Sequence, residues 1–162
     1  MGIIEILPVL IATGGSIYIA IIDIQEMRIP NRILLRLTLF TLATMFLASL
    51  IEGEILKVVL ALFGGLFSIF IFFFIHLLRP EGLGMGDVKF AGFLGLTMSW
   101  FAFPSALLGL AFAFIASAVF ASIAIIFRMQ KVDLLIPFGP FMVFGLLIVN
   151  FSIFSDLFLV AL

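Results

Sequence analysis

Between Val88 and Phe127 the chain carries one charged residue, Lys89, and this constrains the fold more than any other feature. As a single α-helix the stretch would be about 60 Å long, roughly twice the ~30 Å hydrocarbon core of a bilayer. As part of a soluble domain it would need a polar surface that a chain 65% hydrophobic and 10% charged does not supply. It reads as two membrane-spanning helices with a break between them. Trp100 and Pro104 mark the break, because indole favours the membrane interface and proline interrupts helical hydrogen bonding. The expected spans are about Val88–Phe103 and Ser105–Phe127.

The rest of the chain repeats the pattern. Apolar runs cover Ile3–Ile22, broken only by Glu5, then Ile33–Ile51, Ile55–Leu78, and a last stretch that follows Pro137-Phe138-Gly139-Pro140-Phe141 and ends near Leu162. The first run lacks a basic segment before it and is followed at once by further spans, so it reads as a retained helix rather than a signal peptide. Pro30 suits the first turn of the second span, where its missing N–H costs nothing. The expected fold is all-α: a polytopic integral membrane protein with six transmembrane helices, residues 1–162 forming one domain. Gly14-Gly15, Gly64-Gly65 and the stripe Gly109, Ala113, Ser117, Ala121 offer places for helices to approach closely, and Asn150 offers interhelical hydrogen bonding. The phenylalanines, 22 in all, serve mainly lipid contact and packing.

Composition also excludes chemistry. The absence of cysteine removes disulfides, thiolate nucleophiles and cysteine-ligated metals, and a single histidine, His76, leaves little for a zinc site. No metal or cofactor is expected, and His76 reads as interfacial. The formal net charge of -1 argues against nucleic acid as a partner. Membrane lipid is the surrounding medium.

Orientation follows from the basic residues. The first, third and fifth connections with their flanks hold Arg28, Arg32, Arg36, Arg79, Lys89, Arg128 and Lys131, and the opposite side holds only Lys57. The positive-inside rule places the odd connections in the cytoplasm and both termini outside. Asp23 and Asp87 then fall on the same face, although neither entered the count.

These two aspartates are the candidate chemistry. Each stands at the edge of an apolar run, Asp23 opening Asp23-Ile24-Gln25-Glu26-Met27-Arg28-Ile29-Pro30-Asn31 and Asp87 lying within Glu81-Gly82-Leu83-Gly84-Met85-Gly86-Asp87-Val88-Lys89. Two carboxylates at similar membrane depth share a proton, so that one serves as base and the other as acid on a scissile amide. Gly84 and Gly86 let the backbone turn tightly before the fourth helix and leave room for an extended peptide. Asp87 at the start of that helix is also placed to cap its free N–H groups, the plainer reading of the same position. Lys89, two residues on, points to a different helix face; it serves either the site or the charge asymmetry. Glu26, Glu81, Asp133 and Asp156 read as solvated acids.

Three of these places together resemble the type IV prepilin peptidases, in the small form that includes the enzymes of tight-adherence pilus systems and the archaeal preflagellin peptidases. Asp23 with Ile29-Pro30-Asn31 is similar to the family's first catalytic aspartate and the Ile-Pro element after it. Gly84-Met85-Gly86-Asp87-Val88-Lys89 matches its G-x-G-D-x-K motif. Ile136-Pro137-Phe138-Gly139-Pro140-Phe141 resembles the element leading into its last core helix. The resemblance implies a membrane aspartic endopeptidase that removes short basic leaders from prepilin-like precursors at the cytoplasmic face. Asp23 and Asp87 would be catalytic, with Gly84, Gly86, Lys89, Pro30, Pro137 and Gly139 supporting the site. Large bacterial members carry a cysteine-rich insert and also N-methylate the new terminus; this cysteine-free chain is expected to lack methyltransferase activity. Two alternatives stay open: a signal-peptide-peptidase-like intramembrane protease, which shares the G-x-G-D aspartate but would carry Pro-Ala-Leu where Pro-Phe-Gly-Pro-Phe stands, and a small transporter using Asp23 and Asp87 as relay groups.

Overall fold

A computed structural model describes residues 3–80, 82–127 and 136–161, with side chains for 4–80, 82–127 and 136–155. Glu81, Arg128, Lys131 and Asp133 lie outside the described residues, as does the side chain of Asp156. The described residues form six helices: α1 (Ile3–Glu26), α2 (Asn31–Glu52), α3 (Ile55–Leu78), α4 (Met85–Met98), α5 (Phe103–Ile126) and α6 (Gly139–Ala161). Four of them, α1, α2, α3 and α5, are long and apolar enough to cross a membrane. The protein is a multi-pass all-α membrane protein.

The arrangement is a ring around a post. Consecutive neighbours α1, α2, α3, α5 and α6 pack pairwise and close back on α1, and α4 touches all five. Accordingly Val88 and every residue from Phe90 to Met98 are buried. A helix apolar all round is the expected occupant of such a position. The ring helices bury one face and turn large side chains such as Leu10, Leu39, Phe63 and Phe70 outward.

Glycine sets the tightest seam. A Cβ at Gly65 would meet the Gly92 carbonyl oxygen at 2.9 Å, and one at Gly95 would meet that of Gly64 at 2.8 Å, so α3 and α4 approach backbone to backbone. Gly15 receives Leu37 of α2, whereas Gly14 faces open space. On the α5 stripe Gly109 and Ala113 are buried and Ser117 and Ala121 only partly so. Asn150 Nδ2 donates to Thr13 Oγ1 at 2.9 Å, joining α6 to α1.

Three sequence expectations shift. The first span ends at Glu26, not Ile22, so Asp23 belongs to the last turn of α1. Met27 stops the helix in the left-handed region, φ 52°, with its N–H still bonded to the Asp23 carbonyl at 2.9 Å. Pro30 is the residue before α2 rather than in its first turn, and its carbonyl accepts from Ile33 and Leu34. Between α4 and α5 the break falls at 99–102, with Pro104 second in α5, but Trp100 is not an interfacial anchor. It is 1% exposed, packed among Val9, Met45 and Ala61, and its indole N–H donates to the Glu5 carbonyl at 3.1 Å. A tryptophan whose one donor is satisfied inside the protein has no need of the interface.

At this same end the buried Glu5 carboxylate pairs with Lys57, which also pairs with Glu54. Replacing Lys57 with Met strands a buried carboxylate, for which the expected loss is about 3–5 kcal/mol. Thermal unfolding in detergent reads it. Adding Glu5→Leu restores most of the loss if the stranded charge is the cause.

Candidate active site

The opposite end of the bundle holds the two aspartates. Asp23 projects from the last turn of α1 and is 5% exposed; Asp87 is the third residue of α4 and half-buried. Both line one cavity of about 230 Å³, together with Met27, Arg28, Ile29 and Asn31 from the α1–α2 connection and Gly84, Met85, Gly86 and Lys89 from the start of α4. The polar groups of the site thus come from two chain segments far apart in sequence.

Each carboxylate is held by one backbone N–H. Asp87 Oδ2 accepts from Gly84 N–H at 3.0 Å, the side-chain half of a capping box, with glycine offering no side chain to return the bond. The expected capping role is therefore real, and it fixes the carboxylate at the cavity wall. Asp23 Oδ2 accepts from Gly139 N–H at 2.9 Å, a contact between residues 116 apart in sequence. Gly139 is the first residue of α6, so this N–H has no partner within the helix. An anion at a helix N-terminus is also favoured by the helix dipole.

Gly139 is placed by its neighbour. The Phe138 ring packs against Phe114 at 5.1 Å and Phe72 at 6.1 Å, wedging the start of α6 between α3 and α5. Pro137, half-buried just before it, does not line the cavity, nor does Pro30. Each shapes the approach to a helix instead. Gly84 and Gly86 both line the cavity at the start of α4. Neither uses a positive φ; Gly86 is needed because a Cβ there would lie 3.2 Å from Cβ of Ile29, where α4 meets the connection.

Of the two readings of Lys89, the structure places it at the site as well as among the basic residues of its face. Although two residues from Asp87, it lines the same cavity, because its long stem reaches round the first turn; its Nζ donates to Asn31 Oδ1 at 2.9 Å. Sequence reasoning passed over Asn31, Met27 and Phe138. Asn31 and Phe138 stood inside the Ile-Pro-Asn and Pro-Phe-Gly-Pro-Phe elements, but nothing there gave either a role of its own. Arg28 pairs with Glu26 at 2.8 Å on the exposed rim. His76 stays outside the cavity, its Nδ1 2.6 Å from the Leu83 carbonyl oxygen, bracing the segment before α4. Among the described residues no three of His, Asp and Glu gather as a metal-ligating group.

A family model described as the type IV leader peptidase family matches residues 10–126. The chain belongs to that family. It is an aspartic-type endopeptidase acting on type IV prepilin-like precursors, which decides among the three readings left open by the sequence. The matched span of this leader peptidase contains both aspartates but stops before Gly139, whose link to Asp23 is visible only in the fold. No curated protein and no solved structure matches the chain.

Gly139→Ala tests that link. A Cβ at this position would lie 2.7 Å from Asp23 Oδ2, so the carboxylate must move. Misplacing a reacting group by about 1 Å can cost on the order of 100-fold in rate. Precursor cleavage is expected to fall about 10- to 100-fold while the protein still inserts and accumulates.

Proposed function

We propose that Asp23 and Asp87 form the catalytic dyad, cutting the leader from its precursor on the cytoplasmic side of the membrane. The observation that carries this is the shared cavity: two acids from α1 and α4 line one space of about 230 Å³, each oriented by a backbone N–H. With one proton between them, the ionised acid takes a proton from water as it attacks the scissile carbonyl. The protonated acid donates to the leaving amide nitrogen. The supporting roles divide by position. Gly84 and Gly139 orient the acids, Gly86 admits the α1–α2 connection, Pro30 and Pro137 shape two helix entries, and Lys89 braces the cavity rim.

The same reading makes residues 1–162 one transmembrane domain of six spans, with both termini outside. The 14 residues of α4 rise about 21 Å, short of the hydrocarbon thickness. Since the ring shields α4 from lipid, the shortfall is free to hold a polar cavity. The substrate is a precursor with a short basic leader and an apolar helix, and no methyl group is transferred to the new terminus.

The deciding experiment co-expresses a prepilin-like precursor with the chain and reads the new terminus by mass spectrometry. Leader removal without methylation is expected; an intact precursor, or a methylated product made by the purified protein, overturns the corresponding part. Topology is read separately, because a cysteine-free chain accepts single reporters cleanly. A cysteine at Gly82 should react with an impermeant maleimide only from the cytoplasmic side, and one at Glu54 only from outside. The reverse pattern inverts the assignment.

A further inference from the structure

Beside the dyad cavity lies a second one of about 280 Å³, lined by Leu34, Leu35 and Thr38 of α2 and by Asn31 and Lys89. The last two residues line both spaces, so the Lys89–Asn31 hydrogen bond stands at the boundary between them. Its donor capacity is not spent. The ammonium carries three protons and Asn31 Nδ2 two, yet Asn31 Oδ1 is the only side-chain partner of Lys89 among the described residues. No carboxylate of the described residues pairs with Lys89. Thr38 spends its hydroxyl on the Leu34 carbonyl at 2.8 Å, so the far wall presents mainly carbon. Of the pairs that α4 makes, that with α2 is the sparsest, and the second cavity opens along it.

We propose that this second cavity is a substrate subsite: it takes an apolar side chain next to the scissile bond, and Lys89 and Asn31 bind main-chain carbonyl oxygens of the extended peptide crossing between the two spaces. The assignment rests on the leader-peptidase reading with Asp23 and Asp87 as the dyad. Both side chains are exposed, so their remaining protons are met by water and can exchange it for the carbonyls of an extended peptide, which lose their own water on entering a protein. The adjoining apolar wall then discriminates side chains by size, a selection worth about 10- to 200-fold per methylene-scale misfit. Asn31 and Lys89 are thus substrate-binding residues, distinct in role from the two acids.

Thr38→Phe fills the subsite from α2, away from both acids. Its readout is kcat/KM for precursors varied from alanine to phenylalanine at each position flanking the cut. The expected result is a preference shifted at least 10-fold toward the small residue at one flanking position and unchanged at the other. Thr38→Val, which keeps the volume, should behave as the wild type. A uniform loss at both positions, or no change in preference, overturns the subsite while leaving the dyad intact. A second arm does not need turnover: in an Asp87→Asn background, a cysteine at Thr38 should form a disulfide with a cysteine at the flanking position of a bound precursor. A cysteine at Phe120, which lines a separate apolar groove between α5 and α6, should not. Crosslinking at Phe120 instead moves the substrate to that groove and overturns the subsite. No cleavage by the wild type together with no crosslink at either position removes the peptidase reading and the subsite together.

Discussion

On the proposed dyad, Asp23→Asn and Asp87→Asn are each expected to abolish leader removal while the protein remains inserted and folded. The substitution nearly keeps size and shape, and an amide oxygen can still accept the Gly139 or Gly84 N–H that orients the native carboxylate. Only the proton chemistry is lost. General acid–base catalysis contributes about 10²–10⁴-fold, so cleavage should fall by at least that factor in each variant. On the dyad reading the two acids act as one unit, so the double variant should be hardly worse than either single one. The measurement is the rate of precursor conversion in membranes, normalised to inserted protein. Retained cleavage in Asp87→Asn would reduce that residue to its capping bond. Retained cleavage in Asp23→Asn would reduce it to a docking point for α6.

Gly145→Ala should be the most damaging one-methyl change in the chain. The added Cβ would run into the Gly109 carbonyl oxygen and its carbon, and backbone atoms cannot rotate aside as a side chain can. The α5–α6 pair must separate, carrying with it Gly109 packed on Met98 and Val149 and, at the start of the same α6, the placement of Gly139. Overpacking of a fixed contact costs about 1–3 kcal/mol and sometimes more; here the upper end or beyond is expected. The matched control is Gly14→Ala, where nothing lies within 4 Å. Relieved of glycine's helix penalty, that variant should gain up to about 1 kcal/mol. Thermal unfolding of both proteins in the same detergent decides the matter. Similar Tm changes in the two would mean that the close α5–α6 approach is not what glycine serves at Gly145.

The legibility of this protein was uneven for a definite reason. Hydropathy located six helices, and glycine, proline and charge located the breaks, because a chain leaving hydrocarbon must change its chemistry. The pairing of Asp23 with Asp87 was readable as a shared side of the membrane, since basic residues record orientation independently of the acids. Motif likeness then supplied the family. The end points were less secure: Asp23 lies inside α1, not beyond it, because a left-handed Met27 ends the helix, and no residue type at that position announces such a turn.

What only the tertiary structure decided is which apolar faces meet each other. In water, burial leaves an amphipathic pattern; in a bilayer, lipid and protein interior are alike apolar, so a buried face and a lipid-facing one read the same. Hence the sequence could not say that α4 stands alone inside a ring, that Trp100 is packed within the protein, or that Lys89 turns toward Asn31. Nor could it show that the N–H holding Asp23 comes from Gly139, since hydrogen bonds between distant segments leave no period along the chain. The amino-acid sequence by itself determined the helices and pointed to the two acids; packing decided how those acids are held and what space lies beside them.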